Sequence, residues 1–208
     1  MEKNKIASGV SAWMKSNVIC ISLVMLFVVL YLITSAIPAV FSGLATCDIE
    51  YLNHEYYRWI TSIFLHFNMQ HLFFNSLALL AAGSLLSPFI GRMKTLLLFV
   101  LCGALAEVVY SFIVNNGMGN YGAGSSGGIF ALIAALMVCF LRYPNGFSGK
   151  WYRPDTIIVI LFFVFANDNI GSFMTHLFGF TIGIIISFLL VQFRLIKAKN
   201  KLSERRKI

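Results

Sequence analysis

The chain has 208 residues, 59% of them hydrophobic and only 12% charged, with a net charge of +8. A soluble domain of this size needs more charge to cover its surface, so an ordinary soluble helical protein is excluded. The Lys and Arg residues cluster at the ends of apolar segments, which points to membrane topology and anionic lipid contact rather than to nucleic acid.

A bilayer core about 30 Å thick needs about 20 apolar helical residues. Six segments are candidates. The first, 18–41, follows Lys3, Lys5 and Lys15. Its apolar run is too long for a signal-peptide core, and the small residues at 36–39 make a weak cleavage site, so it is expected to remain as a helix.

The second segment, 63–86, carries His66, Asn68, Gln70, His71 and Asn75 in one half. His71 and Asn75 are four apart and share a helical face. His66 and His71 are poorly spaced to share a metal, and neither HExxH nor paired CxxC occurs, so no metal or other cofactor is expected. The third segment, 95–114, contains Glu107. That carboxyl reads either as a proton relay or partner of a polar group, or as a protonated, hydrogen-bonded structural group. It is not assigned to catalysis.

A charge-free stretch rich in Gly and Asn, 115–124, precedes the short fourth segment, 126–141. Irregular backbone at membrane depth is tolerated where it lines a hydrated cavity. A helix starting at Ser126 beneath such a loop would open on a recessed site. Gly124-Ser125-Ser126-Gly127-Gly128 fits G-x-S-x-G formally, but the soluble hydrolase elbow needs strands that this chain lacks. Ser126 can cap the helix. It can equally stand where free backbone N–H groups and the helix dipole favour developing negative charge.

The fifth segment, 156–170, is also short. The sixth, 173–193, places His176, Gly179 and Gly183 on one face, with Ser187 extending it. Small residues at this spacing let two helices approach closely. His176 would then face a neighbouring helix. A serine, a histidine and a His/Asn pair on three helices make up an inventory for acyl transfer. Cys20, Cys102 and Cys139 lie in apolar runs and are expected to be buried; with Cys47 they form no disulfide pattern.

With both termini in the cytoplasm, fifteen of the sixteen Lys and Arg residues fall inside and Arg58 alone outside. The expected fold is therefore an all-α membrane protein, a bundle of six transmembrane helices over 18–193. Residues 1–17 form a cytoplasmic segment and 194–208 a basic cytoplasmic tail near lipid headgroups. The plasma membrane is the simplest location.

These motifs resemble the rhomboid family of intramembrane proteases over about residues 55–193. The family pattern is matched in order by His71…Asn75, Gly124-Ser125-Ser126-Gly127, and His176…Gly179…Gly183. The family's Trp-Arg pair in the first outer loop is Tyr57-Arg58 here, and the aromatic residue that packs on the histidine, often Tyr, is Phe130. The resemblance implies a Ser-His dyad with Ser126 as nucleophile and His176 as general base. It implies oxyanion donors from the Ser126 N–H, His71 and Asn75. Gly124, Gly127, Phe130, Gly179 and Gly183 would support the site, and Arg58 the outer loop. The substrate would be a single-span membrane protein cut near its outer end. The fifth helix, with Asn167-Asp168-Asn169 after it, would be a lateral gate. Two other readings are an inactive family member that binds membrane clients, and a small transporter or channel; internal repeats that would favour transport are absent.

Overall fold

The structure, a computed structural model, describes residues 2–113, 121–144, 153–166 and 170–192. The loop expected at 115–124 is described only from Tyr121 onward. The run 167–169 and the tail 194–208 lie outside the described residues.

The described residues are helical apart from loops and one isolated bridge between Thr46 and Gly122. Helix α1 covers Glu2–Ala36. The apolar run continues to Phe41, but Pro38 disfavours helical backbone at Ile37, which sits at φ −130° and ψ 84°. Pro38 then begins α2 (Pro38–Leu44), where its missing N–H is no loss. A loop and the short α3 (Arg58–Thr61) lead to α4 (Met69–Ile90). The rest of the chain forms α5 (Arg92–Ile113), α6 (Ser126–Arg142), α7 (Pro154–Phe165) and α8 (Ile170–Gln192).

Four stretches are long and apolar enough to cross a membrane: Asn17–Ala36, Met69–Ile90, Arg92–Phe112 and Ile170–Gln192. Helices α6 and α7 are shorter, with 17 and 12 residues. At 1.5 Å per residue they reach only about 25 and 18 Å. Large apolar side chains face outward on α1, α7 and α8, including Leu32, Phe165 and Phe188. In water that surface would be a liability; against lipid it is the ordinary outer face of a bundle.

Helix α6 is the centre of the molecule. Every residue from Ser126 to Leu136 is buried, as expected of a helix that is apolar all round. It packs chiefly on α8 and α5, and also on α4. Consecutive glycines serve two neighbours. A Cβ on Gly128 would stand 2.6 Å from the Phe99 carbonyl oxygen of α5. On the next face, a Cβ on Gly179 of α8 would overlap the Gly127 carbonyl, and one on Gly183 would stand 2.6 Å from Cα of Ala131. The small-residue face read on the sixth segment is thus the α6–α8 contact. All four cysteines are buried and unpaired.

Candidate active site

Ser126 is the first residue of α6, and the cap position belongs to Ser125, whose side chain makes no capping bond. Helix capping therefore does not account for Ser126. The first N–H groups of a helix have no partner within it, so the backbone here is a ready donor site. Ser126 is only 9% exposed.

Its backbone setting depends on Gly124. This residue adopts φ +139°, a conformation that favours glycine, and a Cβ there would meet His71 Cε1 at 2.7 Å and Nε2 at 2.9 Å. The same hypothetical atom would lie 3.7 Å from Ser126 Oγ, so the His71 ring and the serine hydroxyl flank one glycine. The loop is pinned from both sides. Gly124 N donates to Ser62 O at 3.0 Å, and Gly122 exchanges two backbone bonds with Thr46, at 2.8 and 2.9 Å.

His71 lies in the first turn of α4. Asn68 caps that helix, its Oδ1 accepting from His71 N at 2.8 Å. Phe67 stacks on the His71 ring, with centroids 6.0 Å apart and planes 11° apart. His66 meets the same ring edge-on at 5.1 Å. His66 is itself buried, packs against Phe27 at 4.9 Å and stands 3.4 Å from Ser125 Oγ through Nε2. His66 and Asn68 were visible in the sequence as costly polar residues. Their use, as a buttress and a cap for His71, follows from the loop that precedes α4.

Asn75 is one turn further along α4 and 1% exposed. Its Nδ2 is buried without a hydrogen-bond acceptor among the described residues. His176 enters from α8, is 4% exposed, and stacks on Phe130 of α6 with centroids 4.2 Å apart and planes 7° apart. That stack fixes the ring plane from the helix that carries Ser126. The Gly127–Gly179 contact sets the two helices close enough for it.

Ser126, His176, His71 and Asn75 line one cavity of about 1180 Å³. Glu107 lines it as well. Arg58 does not; it is bonded into the segment between α2 and α4. Its Nη1 donates to the Ser42 carbonyl at 2.7 Å, its Nη2 pairs with Glu55, and neighbouring Thr61 donates to Leu44 O at 2.6 Å. Among the sequence-selected residues, Arg58 therefore shapes the loop and the others shape the cavity or the helix crossing beside it.

The sequence matches the rhomboid domain family over residues 53–193. It is 32% identical over 143 residues to the candidate rhomboid protease YdcA of Bacillus subtilis, covering 67% of this chain and 70% of that one. It is 27% identical over 142 residues to the rhomboid protease GlpG of Salmonella paratyphi A, covering 66% of this chain and 49% of GlpG. It is 26% identical over 140 residues to RHOMBOID-like protein 1 of Arabidopsis thaliana, 65% of this chain and 34% of that protein. The chain thus aligns with most of YdcA, about half of GlpG and a third of the plant relative. On a domain match across two thirds of its length and on these relatives, the chain belongs to the rhomboid family of integral membrane proteins.

Proposed function

We propose that this protein is an intramembrane serine endopeptidase that cleaves single-span membrane proteins near the outer face of the bilayer. The observation that carries the reading is the convergence of Ser126, His71, Asn75 and His176 on one cavity, with His176 held flat against Phe130. Protease names among the relatives support it.

In this reading Ser126 Oγ attacks the scissile carbonyl and His176 accepts its proton. The imidazolium then protonates the leaving amine, and water hydrolyses the acyl-enzyme by the same exchange. The Ser126 N–H, the His71 ring and Asn75 Nδ2 receive the oxyanion. A buried donor without an acceptor, as Asn75 Nδ2 is, suits a group whose partner appears only during reaction. Packing on Phe130, instead of an acidic residue, orients the histidine.

The domain 18–193 is read as six spans with both termini in the cytoplasm, α6 and α7 being the short ones, flanked by 1–17 and the tail 194–208. Helix α7, with only Val159 buried, is the most loosely held wall of the cavity and the candidate lateral gate. The plasma membrane is the proposed location, with lipid contacts through the basic tail.

The test is cleavage of a single-span reporter by purified protein in liposomes. Wild type is expected to cut, and Ser126→Ala and His176→Ala to fall to background while keeping their helical signal. An inert wild type whose Ser126 also resists a fluorophosphonate probe would leave a client-binding protein as the function.

A further inference from the structure

Ser125 stands at the cap position of α6 and does not cap it. It is fully buried, and its side chain makes no bond to the helix that it opens. A buried hydroxyl with no local partner needs one elsewhere. Its neighbour is His66, whose Nε2 stands 3.4 Å from Ser125 Oγ across 59 residues of sequence. His66 is buried too, and it does not line the cavity.

Ser125 matters because of the peptide that it begins. The Ser125 carbonyl and the Ser126 N–H share one plane and point opposite ways. The carbonyl accepts from Ile129 N at 3.0 Å, in the first turn of α6. The Ser126 N–H therefore points out of the helix end, where the cavity lies. Whatever holds Ser125 sets the aim of that N–H.

The same histidine reaches the second proposed oxyanion donor. The His66 and His71 rings meet edge-on, with centroids 5.1 Å apart and planes at 68°. Phe67 stacks on His71, which limits tilt of that ring but not sliding in its own plane. A neighbour set at a steep angle limits the sliding. His71 Nε2 and Ser126 Oγ flank one point beside Gly124, at 2.9 and 3.7 Å from where a Cβ would stand. Behind His66, the buried Phe27 of α1 packs at 4.9 Å and backs the ring.

We propose that His66 is a positioning residue that holds the two oxyanion donors, the Ser126 N–H and the His71 ring, in one fixed relation. It acts on the first through Ser125 and on the second by ring contact. The proposal rests on the protease reading above. His66 touches no substrate in this role, so its loss should leave substrate binding nearly intact. A small error in the aim of a donor weakens the transition state instead. The effect belongs in kcat and not in KM.

The experiment is a mutant cycle on the full chain in liposomes with a single-span reporter. Rates are expressed per active site, counted by exhaustive fluorophosphonate labelling. Ser125→Ala removes one hydroxyl and is expected to lower kcat about tenfold, with KM within about twofold of wild type. His66→Phe keeps a ring against His71 but offers Ser125 nothing, so it should match Ser125→Ala. Adding Ser125→Ala to His66→Phe should then cost less than about twofold more. His66→Ala loses both contacts and should fall at least about threefold below His66→Phe. A wild-type kcat in Ser125→Ala overturns the proposal even if no His66 variant folds. So do a loss confined to KM, independent penalties in the Ser125/His66 double variant, and equal rates for His66→Ala and His66→Phe. If wild type cuts in a Ser126-dependent manner and any of these results appears, the protease stands and the positioning role falls. If wild type cuts no reporter, both fall.

Discussion

In the proposed site Asn75 serves as a donor and Gly124 as a space. Asn75 Nδ2 is buried without an acceptor among the described residues. Losing one oxyanion donor typically costs about 10²–10³ in rate. Asn75→Ala should therefore lower reporter cleavage by about that factor, whereas Ser126→Ala removes it. Equal rates for Asn75→Ala and wild type would take Asn75 out of the site. Gly124→Ala fails for a steric reason, since the new methyl would enter the His71 ring and the residue would keep a φ of +139°. We expect fluorophosphonate labelling of Ser126 to drop at least about tenfold in Gly124→Ala with helical content retained, because the strain falls on the loop. Unchanged labelling would mean that the loop relaxes freely.

At the scale of elements, the α6–α8 crossing is the most tightly specified contact. Gly179 has no room for a methyl because the Gly127 backbone occupies it. Gly179→Ala should force the helices apart, lower stability by about 1–3 kcal/mol and separate His176 from Phe130. Thermal unfolding in detergent, read with reporter cleavage, checks both effects. Helix α7 is held differently. Its base is tied to α4 by Ser84 Oγ donating to Asp155 Oδ2 at 2.6 Å, and Arg153 Nη2 meets the same oxygen at 2.6 Å. The rest of α7 exposes Leu161, Phe163 and Phe165. In Asp155→Asn, amide exchange should quicken across 157–165 and stay unchanged across 126–136, since a locally held helix opens without the core. Equal change in both segments would show that α7 and α6 open as one unit.

For the whole molecule, the alternation of helix direction puts the Ser126 end of α6, the first turn of α4 and the His176 end of α8 at one side of the bundle. Arg92, Arg142 and Arg153 fall at the other side. Because all four native cysteines are buried, an introduced thiol can be labelled selectively. In right-side-out vesicles, Tyr57→Cys should react with an impermeant maleimide and Arg92→Cys should react only after lysis. The reverse pattern would invert the proposed orientation.

The membrane class and the identity of the polar residues were legible in the sequence because lipid leaves little choice. Apolar runs must become helices, and each costly polar residue stands out against them. The periodicity of His176, Gly179 and Gly183 also named a close helix contact in advance. Other features were not legible, because they arise between distant segments. The break at Pro38 shortened a helix that hydropathy alone carried further. Asn68 and His66 became supports of His71 only through the loop before α4. Glu107 read as a puzzle on α5 until packing brought it to the wall of the cavity that Ser126 opens. Local pattern settles which residues sit in helices and which faces are small. Only tertiary packing decides which polar atoms are left without partners, because an unmet hydrogen bond depends on every element that surrounds it.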